Sequence, residues 1–233
     1  MIKKLLNLTK AIIRGKLIYF SKLNLPKKWM GNKYGGFFLH NDTLNSNSII
    51  YSVGIGEDIS FDTRVINKFS CKVFGFDPTP KAIEFINNLT PPSEFIFNQY
   101  GVSNTTGVIK FFLPKIDSHV SGSLINTSIV NEEDSIPLKF KSLKNIMESY
   151  NHQYLDVLKI DIEGYEYQLI DYICDNRIQI NQLLVEFHPD LIGEGKEKTR
   201  SAINKLNSLG LKCYAVSDSF SELSFINTKL LEK

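Results

Sequence analysis

Four ionisable residues have the types and spacing for acid–base or metal chemistry: Asp161 and Glu163 in LDVLKIDIEGYE (155–166), and Glu186 and His188 in LLVEFHP. Asp161 and Glu163 follow a short apolar run and precede Gly164. That pattern reads as the end of a buried parallel strand, with a helix starting beyond the glycine. In open α/β sheets ligands bind beyond the carboxyl ends of the strands, so the acids stand where chemistry is usually done. An unperturbed imidazole titrates near neutrality and can take a proton, whereas Asp161, already ionised, suits orienting that imidazole or holding a cation. Asp161, Glu163 and His188 are therefore the candidate catalytic groups. Asp161, Glu186 and His188 are candidate ligands for Mg²⁺ or Mn²⁺, since hard oxygens with one imidazole suit these ions. The opposing reading is structural: the acids cap the next helix, Asp161 and His188 bond each other, and no metal binds.

A second constellation lies upstream. The run 49–53 (IIYSV) reads as a strand, and Gly54-Ile55-Gly56 makes a turn into a helix starting near Ser60. A glycine turn lets a ligand approach the backbone closely. A second strand, 72–76, ends in Asp77-Pro78-Thr79-Pro80, with Thr79 as N-cap and Pro80 at the first helical position. Asp77 follows Gly56 by 21 residues, the spacing at which an acid meets both ribose hydroxyls of a nucleoside cofactor. The pattern does not choose between NAD and S-adenosylmethionine.

The elements that must position these residues alternate. Further strands are expected at 95–100, 108–113, 155–162 and 182–188, with helices at 142–150, 165–176 and 196–209. Strands 212–216 and 222–227 close the chain as an antiparallel hairpin. Alternating β and α segments describe a mostly parallel sheet with helices on both faces. The stretch 29–40, rich in glycine and aromatics, reads as a loop able to cover a cleft, and 118–127 (SHVSGSLINT) as a polar loop. His40, His119 and His152 fall on predicted loops and read as solvated.

With 233 residues, 42% hydrophobic and 22% charged, and no linker, one domain is expected over 34–233, preceded by a basic segment at 1–33. A net charge of +2 gives no sign of a nucleic-acid partner. Cys71, Cys174 and Cys213 are widely spaced, which suits a reduced, cytoplasmic compartment and excludes a disulfide framework. Residues 1–25 place apolar side chains at helical spacing among lysines. Such a helix packs on the domain, or lies peripherally on an anionic inner membrane face. No long apolar region follows the charges, so a secretory signal is not expected.

Taken in order, YSVGIGEDISFD, VFGFDPTPKAI, YGVSN, SGSL, LDVLKIDIEGYE and LLVEFHP resemble the FkbM-like class I methyltransferases over residues 34–227. The resemblance implies a Rossmann-like class I methyltransferase fold with seven strands and a C-terminal antiparallel hairpin. It implies S-adenosylmethionine as methyl donor, with Tyr51, Ser52, Gly54, Gly56, Asp77, Gly101, Val102 and Asp161 at the cofactor. It also implies O-methylation of a small-molecule or sugar hydroxyl, or of a phosphate, in surface-glycan or secondary-metabolite synthesis. Many relatives begin the first motif with an acid and carry a third glycine; here those places hold Ser52 and Asp58, which leaves Glu57 or Asp58 to meet the cofactor's ammonium. The competing readings are an NAD-dependent oxidoreductase, against which no Tyr-x-x-x-Lys is present, and a binding or scaffold protein of the same fold that has lost catalysis.

Overall fold

The computed structural model describes residues 2–13, 18–115 and 122–232. Its centre is a seven-stranded sheet. In chain order its strands are β3 (Ile49–Val53), β4 (Lys72–Phe76), β5 (Phe95–Asn98), β9 (Leu155–Ile160), β10 (Ile180–Glu186), β11 (Leu211–Val216) and β12 (Glu222–Asn227). Across the sheet they run β11-β12-β10-β9-β3-β4-β5, and only β12 opposes its neighbours. The order reverses between β3 and β9, which is where an open α/β sheet leaves a crevice. Helices α2 (Ser60–Phe69), α3 (Pro80–Asn87), α4 (Leu143–Ser149), α5 (Glu166–Asp175) and α6 (Gly195–Ser208) cover it.

Alternation along the strands divides the core into two layers. Ile50, Val73, Val157 and Leu184 face α2 and α3. Tyr51, Phe74, Leu158 and Leu183 face α4, α5 and α6. The caps hold where their residue types place them: Thr79 accepts from Ala82 N and Ser142 from Asn145 N.

Beyond β5 the chain builds a second sheet of three strands, β6 (Gly101–Ser103), β7 (Gly107–Pro114) and β8 (Val130–Ser142), in the order β6-β8-β7. This corrects one expectation, since the strand expected over 95–100 stops at Asn98; the strand expected at 108–113 is present as β7, paired with the unforeseen 13-residue β8. β8 carries Glu132, Glu133, Asp134 and Pro137, residues depleted in strands, and its cross-strand pairs with β7 override that propensity. Part of the polar loop expected at 118–127, including Ser118 and His119, lies outside the described residues.

The N-terminus also departs from expectation. The helix expected over 1–25 is α1 (Ile2–Ile13); the positions expected at 14–17 lie outside the described residues. Leu6, Ile12 and Ile13 of α1 are exposed, so these side chains do not pack on the domain. The body begins well before residue 34. Lys22 N donates to Cys213 O, and Leu23 and Leu25 pack beside Tyr214. The stretch expected to cover a cleft is instead a hairpin, β1 (Lys28–Met30) with β2 (Phe37–Leu39), whose Met30, Phe37 and Leu39 are fully buried against α2. Among the described residues, no helix is long and apolar enough to cross a membrane.

Candidate functional site

β3 ends in a turn with two glycines at positive φ, of which Gly54 is sterically required. Gly54 has φ +80°, and a Cβ there would overlap the Asp161 carbonyl oxygen, so the ends of β3 and β9 touch. Gly56 has φ +54°, and a Cβ there would meet nothing. Asp77, at the end of β4, grips this turn: its Oδ2 accepts from Ile55 N and Gly56 N, both at 3.0 Å. Its Oδ1 accepts from Thr79 N at 2.9 Å and Thr79 Oγ1 at 2.6 Å. Those four donors use the acceptor capacity of one carboxylate. A ribose hydroxyl reaching Asp77 would have to share these oxygens, and the rotatable Thr79 hydroxyl is the donor most readily displaced.

Six of the eight expected cofactor residues, Gly54, Gly56, Asp77, Gly101, Val102 and Asp161, line one cavity, with Glu163 at its edge. Tyr51 and Ser52 do not, because both side chains are buried in the sheet's packing layers, with the Tyr51 hydroxyl 2.8 Å from His152 Nδ1. Neither Glu57 nor Asp58 lines the cavity, and Asp58 is taken up by Asn32 Nδ2 and Ser60. His40 is not solvated either; it is buried, with Nδ1 2.6 Å from Pro26 O. The far wall was not visible in the sequence. It consists of Phe111 and Phe140, stacked at 6.3 Å on β7 and β8, together with Leu124.

Beside the cavity the strand ends bring the acids to one imidazole. His188 Nε2 lies 3.5 Å from Glu163, 3.8 Å from Asp161 and 3.8 Å from Glu186. One ligand atom each from Asp161, Glu186 and His188 falls within 4.8 Å of the others. The acid beside the ring's other nitrogen is Glu166, wholly buried at the start of α5. Its Oε1 accepts from His188 N at 2.8 Å and lies 3.4 Å from His188 Nδ1, within ion-pair reach although no aligned hydrogen bond forms there. Its Oε2 accepts from Gly164 N at 2.8 Å, pinning the turn in which Glu163 has φ +49°. Asp161 does not hydrogen-bond His188; at 3.8 Å the pair is too far apart. The signal for Glu166 was present as the last acid of KIDIEGYE.

A family model for the methyltransferase FkbM domain matches residues 45–213. The chain belongs to this family. Hexuronic acid methyltransferase AglP of Haloferax volcanii is 28% identical over 145 residues, which cover 58% of this chain and 57% of AglP. Among solved structures, methyltransferase FkbM from Methylobacillus flagellatus aligns with a TM-score of 0.47 at 13% identity, over 78% of this chain and 44% of that one. The fibrillarin of Aeropyrum pernix aligns with a TM-score of 0.41 at 13% identity, over 94% and 72%. The chain thus spans only about half the length of AglP and of the Methylobacillus protein.

The electrostatics of this FkbM-family site are dominated by its crowding. Burial pushes the Glu186 carboxyl up to about 9, and the Asp161 charge adds to the rise. Burial works to lower the His188 pKa, but Glu166, Glu163 and Glu186 outweigh it and hold the imidazole well above its ordinary value. The surrounding acids thus favour the protonated imidazole more than an unperturbed value would suggest.

Proposed function

We propose that this chain is an S-adenosylmethionine-dependent O-methyltransferase whose acceptor is a sugar hydroxyl. The observation that supports it most is the cavity at the β3–β9 switch, lined by the glycine turn and Asp77 and adjoining the acid–imidazole cluster. The family match supports methyl transfer, and the name of AglP supports a sugar acid or related sugar as acceptor. The cavity fits the cofactor on its own terms. Gly56 leaves open space where any side chain would intrude, and Phe111 with Phe140 offers an aromatic wall suited to a purine.

The cofactor's contribution is a methyl group on a sulfonium, which is lost as the charge disappears. The protein's residues do the rest. Gly54, Gly56 and Asp77 hold the donor, and the acceptor oxygen must be held within roughly 3–3.5 Å of the methyl and in line with it. A sugar hydroxyl must also lose its proton, and Nε2 of the neutral form of His188 is the candidate acceptor for it, with Glu166 beside the ring's other nitrogen. The donor set Asp161, Glu186 and His188 also fits Mg²⁺ or Mn²⁺, which would neutralise the crowded carboxylates and polarise an acceptor hydroxyl. Chelation is expected to abolish activity on this second reading, with either ion restoring it; full activity in excess chelator would eliminate the metal.

Calorimetry tests the cofactor. S-adenosylhomocysteine should bind and NAD should not. Asp77→Ala should weaken S-adenosylhomocysteine by roughly 10- to 150-fold, since a charged acceptor is lost and the turn released. Unchanged affinity in that variant would remove Asp77 from the site.

A further inference from the structure

Beneath the glycine turn, on the side away from the cavity, lie a buried lysine and a buried aspartate that the proposed chemistry does not use. Lys159 stands on β9 opposite Ser52 of β3 and is only 4% exposed. Its Nζ donates to the Gly54 carbonyl at 3.1 Å and sits 5.5 Å above the Phe37 ring centroid. From α2 comes Asp62, 1% exposed, with neither carboxylate oxygen in a hydrogen bond. The Ser52 hydroxyl, wholly buried, is likewise without an aligned partner. Burial pushes the Asp62 carboxyl up, while the Lys159 charge and the adjoining Ser52 hydroxyl pull it back. Phe61, next to Asp62, meets Phe37 edge-on at 6.0 Å and helps seal the pair from water.

A lysine and an aspartate are rarely buried without a reason. Taking both from water is costly, and an apolar pair of similar volume would usually be at least as stable. The pair's single directed contact is with the turn. Gly54 and Gly56 both hold positive φ, and the carbonyl between the strand and the turn must point down for the amides of Ile55 and Gly56 to meet Asp77. Asp77 thus grips the turn by its amides from one side, and Lys159 by its carbonyl from the other. A charge-assisted hydrogen bond in a water-excluded setting is a strong tether.

We propose that Lys159, set beside the buried Asp62 and with its surroundings dried by Phe37, is a positioning residue that preforms the Gly54–Gly56 turn for the cofactor. The assignment of the turn to S-adenosylmethionine rests on the function proposed above; the positioning does not. Lys159→Met alone would strand a buried carboxylate and is expected to fold poorly. The informative variant is therefore Lys159→Met with Asp62→Leu, which removes both charges together.

Two readouts are compared with the full-length wild type. Amide hydrogen exchange across residues 54–57 should quicken at least tenfold in the double variant while the core strands keep their protection. S-adenosylhomocysteine affinity should fall about tenfold, and Lys159→Arg, which keeps charge and donor, should retain most of it. A double variant with native exchange at the turn and native affinity overturns the proposal and leaves the pair a packing feature. If the wild type binds no S-adenosylhomocysteine while turn exchange still quickens in the variant, the cofactor assignment fails and the positioning role stands.

Discussion

At the scale of single residues, the site turns on how Glu166 and three further carboxylates treat one imidazole. Glu166 faces Nδ1 and the other acids face Nε2, so every neighbour favours the protonated ring. A base must be neutral before it accepts a proton, so turnover in metal-free protein is expected to climb as pH rises above neutrality. Glu166→Gln removes a charge that raises the His188 pKa, and that limb should move to lower pH. A pH–rate profile unchanged by Glu166→Gln would show that His188 does not control the reaction. His188→Ala and Asp161→Asn should each lower kcat by roughly 10²- to 10⁴-fold, with little change in cofactor affinity for His188→Ala, whose side chain lies outside the cavity lining. Near-normal turnover in His188→Ala would point to an acceptor that is already anionic. The residue types here were legible from spacing alone: Asp161 and Glu163 in DIEG, and Glu186 and His188 in EFH, each stand two residues apart at neighbouring strand ends. Which acid orients the histidine was not, because that depends on the Glu163–Gly164 turn folding Glu166 back beneath Gly164.

At the scale of elements, the sequence was clearest where one short apolar run is buried on both faces. β3, β4 and β12 fall where the apolar pattern and turn residues put them, and β9 loses only the last two expected positions. It was least clear where a strand is stabilised by its partner. β8 runs through four consecutive exposed residues, 131–134, and only Val130, Phe140 and Ser142 are buried, so little in its composition announces a strand. The hairpin of β1 and β2 was masked by its glycines, which read as loop although Met30, Phe37 and Leu39 fill the layer under α2. The same packing revises the place where the chain can be cut. A chain starting at Ile18 should melt close to the full-length protein, since Leu6, Ile12 and Ile13 are already in solvent. One starting at Lys27 loses the Lys22–Cys213 bond and the packing of Leu23 and Leu25. At about 1–2 kcal/mol for each partly buried leucine, its Tm should fall by roughly 5–10 °C. Equal melting of the two shortened chains in calorimetry would show that residues 18–26 add nothing to the fold.

At the scale of the whole molecule, the crowded site links stability to pH. The Glu186 carboxyl stands at about 9 in the folded chain, against 4.5 when unperturbed, and His188 is raised as well. A group whose pKa is raised by folding binds its proton more tightly in the native state. Its contribution is complete below the unfolded value and is lost as pH climbs through the folded one. For Glu186 that window runs from about 4.5 to 9; for His188 it begins near 6.5 and extends upward. Both act in the same direction, so the metal-free protein should melt at progressively lower temperature between pH 6.5 and 9. Glu186→Gln, which keeps the shape of the protonated side chain and cannot ionise, should flatten that decline and raise Tm most at the alkaline end. A divalent cation held by Asp161, Glu186 and His188 would compete with the protons, so Mg²⁺ or Mn²⁺ should raise Tm more at pH 9 than at pH 6.5. Thermal melts across this range, in chelator and in each ion, separate the cases. A wild-type Tm that holds level from pH 6.5 to 9 in chelator would show that the cluster does not retain its protons on folding. An ion effect independent of pH would place the cation elsewhere on the molecule.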